Sequence, residues 1–460
     1  MKTVSNIFIE PYNRYYRHNH YFHQHHSFLC SMVLVDVLSN WLSKEQPIRL
    51  IPICDLIPES NEPRSYDAIR TNAALEHKLL NEQLSVLTEE MHLLQDREFI
   101  DQTWNKLWAN GLLESVSYCF LRCLDENNRL VEHYGKAIKI KESVKENLIN
   151  AIEDGSITIT PTQYKDEIIK GINIESRWLI AYPKHLGITA PIAEVYNNLY
   201  SYTNLGTNIN SLGEHRTSYS NLFVRACMIE YFKQKHSVYS SDIIIGTMGD
   251  VIAQLFSHAQ FSELYGKSIS RVHTYIYIPR DIDDKSFGYY LGKERTEYIL
   301  GKEWSLGYDA DLMRFAITSS STPYNTQQIG FKAYTSGELP QLKMRNALKL
   351  IQSWKVNNEM EQPVENVVEH EIIEKKLLDL KKNLDCEYSQ FRLDLVTRNI
   401  ASFIRHDFSR IYLQTVKPKE FGVKLIDEQT YNQATCMFKE CLELIAPIMP
   451  NLYKELSNKI

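Results

Sequence analysis

Apolar residues over the first 55 positions change period twice, and the changes predict strand, helix and strand. Ile7-Phe8-Ile9 is a short apolar run closed off by Pro11. After a His-rich stretch, Phe28, Leu29, Met32, Val33, Val37, Leu38 and Trp41 recur at helical spacing, and Ile48 to Cys54 is an apolar run too short for a helix. Together they read as one β-α-β unit. From about Tyr66 to Leu130 the pattern is helical and charged, and it then loses clear periodicity through Gly155 and Pro161. A second α/β unit starts near Ser240. Ser241 to Gly246 reads as a strand ending in glycine, Val251 to Leu264 as an amphipathic helix, and Val272 to Ile278 as the closing strand. Two α/β halves thus flank a long middle insertion.

After Pro340 the pattern is helical throughout. Ile373, Leu377, Leu380 and Leu384 keep one stripe, and Phe391, Leu395, Phe403, Ile404, Phe408 and Ile411 keep another. The final segment, CLELIAPIMPNLYKEL, reads as a helix stopped and restarted by Pro447 and Pro450.

Composition adds bounds. At 460 residues, with 43% hydrophobic and 23% charged residues, the chain holds two or three ordinary globular domains. A net charge of −6 gives no global pull toward nucleic acid, so any RNA contact requires a local basic patch, and DNA is not an expected partner. The eight cysteines are scattered and mostly sit in apolar runs, the pattern of reduced thiols. Without a signal peptide or a run of eighteen apolar residues, the expectation is a cytoplasmic protein without a membrane partner.

Several positions offer chemistry. Between Arg17 and Ser27 stand five histidines: His18, His20, His23, His25 and His26. Such a cluster at a strand-to-helix turn fits anion binding at a helix N-terminus, a zinc or nickel site, or simply a His-rich surface loop. Asp55 follows the second strand, where ligands of open α/β sheets bind and where turn-forming Asp is also common. Gly246 and Asp250 lie in a Gly-rich turn after a strand. His273 reads as a ligand contact or a hydrogen-bonded core histidine. Cys119, Cys123 and His133 are three of the four groups that a tetrahedral zinc site needs.

The stretch from Tyr290 to Ser321 resembles the end of a class I aminoacyl-tRNA synthetase core, where a lysine loop (KMSKS) precedes an Ala-Asp-x-x-Arg turn. Lys293 falls on the loop's second lysine, while Tyr290, Leu291, Gly292 and Glu294 replace its other letters. Asp311 and Arg314 sit where the family places its turn. His23-x-x-His26 matches the two histidines of the family's HIGH motif, with His25 in place of glycine. Asp55 matches the carboxylate beside the substrate's α-ammonium group. Gly246 and Asp250 resemble the turn at the adenosine ribose, and His273 the histidine of the Val-His-Gly strand. Ser117 to His133 is similar to the zinc knuckle of methionyl-tRNA synthetases with the second Cys pair missing, which implies a zinc-free remnant. Asn198 and Tyr200 take the places of the Trp and Asp that line the amino-acid pocket, so methionine is not the expected substrate. LIAPIMPNLYKEL is similar to the family's last helices, although no Pro-Trp pair precedes it; Lys417, Lys419 and Arg405 are cations for phosphates there.

The resemblance implies a Rossmann-like α/β core split by an insertion and followed by an α-helical bundle. The first half of the core falls at 1–110, the insertion at 111–190, the second half at 191–305, a stem-contact-like linker at 306–345 and the anticodon-binding-domain-like bundle at 346–460. It implies a ligase that forms an aminoacyl-adenylate from ATP with Mg2+, with His23, His26 and Lys293 catalytic. ATP is held by these residues and by Gly246, Asp250 and His273, and the amino acid by Asp55, Asn198 and Tyr200. The acceptor is tRNA or a small amine or amino acid. The alternative is a non-catalytic paralogue that binds nucleotide, amino acid or RNA for regulation.

Overall fold

The computed structural model describes residues 7–9, 33–34, 36–38, 40–41, 50–54, 92–93, 97–124, 129–184, 189–192, 195–198, 202–204, 207–209, 213–235, 243–246, 248–266, 272–276, 309–322, 329–418 and 424–460. These fall into two units: one holds the elements between Ile7 and Ile276 except the helical residues 33–41, and the other holds residues 33–41 and everything from Asp309 on.

The strands of the first unit are β1 (Ile7–Ile9), β2 (Leu50–Cys54), β3 (His92–Leu93), β4 (Leu113–Leu124), β5 (Leu130–Ile140), β6 (Ile157–Thr160) and β7 (Leu179–Lys184). They continue with β8 (Val195–Asn198), β9 (Tyr202–Asn204), β10 (Thr207–Ile209), β11 (Gly213–Tyr219), β12 (Ile243–Gly246) and β13 (Val272–Ile276). β1, β2 and β3 pair in parallel, as do β12, β13 and β6. β1 and β12 lie against each other, so the two three-stranded parallel sheets, β1-β2-β3 and β12-β13-β6, are neighbours.

Two features correct the sequence expectations. Helix does not persist to Leu130: Arg97–Ala109 is helical, but Leu113 to Leu124 is a strand hydrogen-bonded antiparallel to β5. The β-branched and aromatic residues of Val116 to Phe120 suit that hairpin better than a helix. The region read as an insertion also supplies β6, an edge strand of the parallel sheet, as well as most of an antiparallel sheet ordered β4-β5-β7-β11-β8. The core of this unit is a continuous aliphatic cluster around Ile138, Leu148, Ile168, Ile180 and Leu255. The buried indole of Trp178 donates to the Ile172 carbonyl at 2.7 Å and lies 4.3 Å from Phe256, so its one polar group is satisfied.

The second unit is helical, with one short parallel pair, β14 (Lys355–Asn357) and β15 (Leu425–Asp427). The stripe beginning at Val33 lies inward: Val33, Leu34, Val37 and Leu38 are all buried. Trp41 stacks on Tyr388 with ring centroids 4.2 Å apart. Ile373, Leu377, Leu380 and Leu384 face the core from the Val364–Ser389 helix, as their spacing predicts. In the other stripe, Phe403, Ile404 and Phe408 are buried but Ile411 is 43% exposed, and Tyr412 takes the inward place. The cause is local: Phe403–Tyr412 winds as a π-helix, and the wider i→i+5 turn moves the inward phase from 411 to 412. Between the two helices Phe391 adopts φ +57°, a costly conformation for a bulky residue, with its ring held in the core. Among the described residues no helix is long and apolar enough to cross a membrane.

Candidate functional site

In the parallel sheet β12 ends at Gly246, and a helix starts at Met248, so the chain turns from strand to helix within one intervening residue. Gly246 pairs with Ile276 at the carboxyl edge, where ligands of open α/β sheets bind. Asp250 lies in the first turn of that helix. The structure thus brings Gly246 and Asp250 to one edge. His273 is not at that edge: it pairs with Ile243 and Thr158, three residues back along β13 and about 10 Å away at the rise of a strand. Asn198 ends β8 opposite Gly213, in the antiparallel sheet rather than the parallel one. His23, His26, Asp55, Tyr200 and Lys293 lie outside the described residues. In the β4–β5 hairpin Cys119 is opposite Tyr134, Cys123 opposite Val131 and His133 opposite Leu121. Among the described residues no three His, Cys, Asp or Glu side chains come together to hold a metal ion.

The Asp-x-x-Arg turn is fully defined. Asp309 caps the Ala310–Ser319 helix by accepting from the backbone N–H groups of Asp311 and Leu312 at 2.8 and 3.2 Å. Asp311 turns away from its own helix and caps another. Its carboxylate accepts from the N–H groups of Asn451 and Leu452 at 3.1 and 2.7 Å, at the start of Pro450–Ser457. Pro450 opens that helix at its first turn, where it has no N–H to satisfy. Arg314, fully buried, reaches in a third direction: Nε donates to the Ile448 carbonyl at 3.1 Å, and Nη2 donates to the Pro447 carbonyl at 2.5 Å and to Asp36 Oδ2 at 2.6 Å. The segment around the two prolines therefore presents the carbonyls of Pro447 and Ile448 to Arg314 and the N–H groups of Asn451 and Leu452 to Asp311. Sequence reasoning missed Asp36, whose only signal is a lone carboxylate within the apolar Val33–Leu38 face.

Burial pushes the Asp311 carboxyl up from 3.8 to about 6, against the pull of its two N–H donors. The folded chain therefore holds this proton more tightly than the unfolded chain. Asp311 makes stability fall as pH rises from about 4 to about 6, by about 3 kcal/mol in all at about 1.4 kcal/mol per pH unit. Denaturant midpoints of the wild type and Asp311→Asn, compared across that interval, should diverge in slope by this contribution. Parallel curves would refute it.

Near the bundle's other face, Arg405 Nε lies 2.9 Å from His406 Nε2 and Lys417 Nζ donates to Gln414 at 2.6 Å, both on the helical run that continues from Leu393–Ser402. Lys419 is outside the described residues.

Comparison with known proteins follows the same division. Residues 370–460 match a family described as the anticodon-binding domain of tRNA ligase. Among curated relatives, valine–tRNA ligase of Porphyromonas gingivalis is 27% identical over 179 residues, 39% of this chain and 20% of that enzyme. Valine–tRNA ligase of Parabacteroides distasonis is 26% identical over 150 residues, 32% of this chain and 17% of that enzyme. The matched stretches thus span about a fifth of the relatives' length. Among solved structures, Mycobacterium tuberculosis methionyl-tRNA synthetase in complex with methionyl-adenylate superposes with a TM-score of 0.66 at 11% identity, covering 98% of this chain and 92% of that one. Its apo form gives 0.62 at 10% identity, covering 99% and 91%. At such identity the likeness is one of fold: mixed α/β followed by a helical region.

Proposed function

We propose, from the premise that the chain is class I aminoacyl-tRNA synthetase-like, that it activates an amino acid with ATP. The observation that carries this reading is the parallel sheet whose β12 turns at Gly246 straight into a helix, in a chain that shares its fold from end to end with an adenylate-binding synthetase. The substrates are an amino acid and magnesium-ATP. The carboxylate oxygen of the amino acid attacks the α-phosphorus, and pyrophosphate leaves with the electron pair of the broken P–O bond. Gly246 and Asp250 would seat the ribose at the strand edge, and Asp55 would hold the α-ammonium group. His23, His26 and Lys293 would offset the negative charge that grows on the phosphates. His273, placed back along its strand, is left out of the ATP contacts. The anticodon-binding-domain likeness of 370–460 favours tRNA as the acceptor.

The curated relatives are valine ligases and the fold neighbours methionyl enzymes, so the substrate is best found by measurement. Amino-acid-dependent exchange of labelled pyrophosphate into ATP, run across the common amino acids, should rise with one of them. Exchange with none would sink the reading and favour a non-catalytic paralogue. Two residues support that second reading: His25 where the family has glycine, and Glu294 within the lysine loop.

A further inference from the structure

We infer that the groove lined by the helices Ala310–Ser319, Phe331–Ser336 and Leu393–Ser402 is a binding site for a small phosphorylated molecule with an apolar body. None of its lining residues belongs to the proposed adenylating site. The cavity holds about 1010 Å3, at the upper end of small-molecule sites. Its cations come from different walls: Lys332 from one helix, and Arg398 and Arg405 from the continuous helical run on the other side. No Asp or Glu is among the described residues lining it. Lys332 is exposed and has no ion pair among the described residues. Arg398 donates Nε to the Asp394 carbonyl and Nη2 to its carboxylate, which also accepts from Nε and Nη2 of Arg392, so the trio keeps a net positive charge. Ser320 and Ser402 add hydroxyl groups, neutral partners of phosphate oxygens, while the hydroxyls of Ser319 and Ser336 donate to the Ala316 and Ala333 carbonyls.

Two further observations point to a ligand rather than a merely solvated basic face. The same cavity is lined by the apolar residues Phe315, Leu339 and Pro340, with Leu339 37% exposed. Arg405 also stands in the first wide turn of the π-helix, directly after Ser402, and such turns recur at functional sites. A nucleic-acid backbone is met by cations strung along a stripe, each at a separate phosphate. Cations on two walls of one cavity that apolar residues also line suit instead a single anionic head on a nonpolar body.

The test is titration of the intact chain with 1-naphthyl phosphate, followed by calorimetry, with 1-naphthol and inorganic phosphate as comparison ligands. Naphthyl phosphate should bind at one site, more tightly than inorganic phosphate, while naphthol should not bind. Lys332→Glu and Arg405→Glu should each weaken binding by about tenfold or more, the worth of one charge-assisted contact, with the unfolding midpoint unchanged. Excess ATP should leave the ligand in place. Absence of binding, equal binding by both variants, or displacement by ATP would overturn the proposal. So would a single-stranded RNA whose binding falls in both variants while naphthyl phosphate does not bind, since the groove would then be an RNA interface.

Discussion

Arg314→Ala will lower the stability of the helical unit by about 3–5 kcal/mol, the cost of leaving one member of a buried ion pair alone. Arg314 is fully buried, and Asp36 beside it is 3% exposed at its side chain, so water cannot replace the lost guanidinium. The change strips more than the pair. The carbonyls of Pro447 and Ile448 lose the donors that the arginine fork gives them, just before the Pro450–Ser457 helix that Asp311 caps. Urea unfolding of the intact chain, read by tryptophan fluorescence, gives the loss; Trp41, stacked on Tyr388 in the same unit, is a local reporter. The informative companion is Arg314→Met combined with Asp36→Leu. Replacing both charges by apolar side chains of similar volume removes the desolvation cost as well as the attraction, so much of the stability should return. If Arg314→Ala shifts the midpoint by no more than a surface substitution, or if the double change is as costly as the single one, the pair does not hold the unit together.

That pair also shows how far the sequence can be read. Periodicity found the inward face of Val33 to Leu38 because a helix packed on one side must repeat its apolar positions every three or four residues. Asp36 broke that face, but its partner lies 278 residues away, and no local pattern links the two. Ile411 shows a second kind of limit. Its apolar position is legible, but the wider π winding of Phe403–Tyr412 that turns it outward is not, because an apolar stripe is read at the period of an α-helix. The strand Leu113–Leu124 shows a third: the charged, helical stretch before it hides a short β-branched and aromatic run, Val116 to Phe120, which pairing with β5 turns into sheet. At the candidate site the local signal was better. A strand that stops at a glycine and continues as a helix is a short-range feature, and Gly246 with Asp250 came out where the sequence put them. His273 likewise falls on the strand that the sequence predicts, and the pairing adds its register, opposite Ile243 and Thr158.

Lys293→Ala should cut amino-acid-dependent pyrophosphate exchange by two to three orders of magnitude, roughly the effect of deleting one donor that meets transition-state charge. The expectation rests on the proposed adenylating function and on what surrounds Lys293 in the sequence. The related loop carries two lysines, whereas here Tyr290, Leu291, Gly292 and Glu294 leave Lys293 as the one cation of the motif. A second lysine would soften the loss; its absence concentrates the role. Glu294 adds a neighbouring negative charge that opposes phosphate binding, so Glu294→Ser should raise exchange while Lys293→Ala abolishes most of it. Opposite signs at adjacent positions are hard to obtain from a general loss of structure. The unfolding midpoint of both variants should match the wild type, which separates this result from the Arg314 series, where stability falls first. Arginine at 293 keeps the charge but changes its geometry, and an intermediate rate would show that placement matters as well as sign. A wild-type chain that exchanges with some amino acid and loses nothing in Lys293→Ala would leave the activation reading standing and remove Lys293 from it.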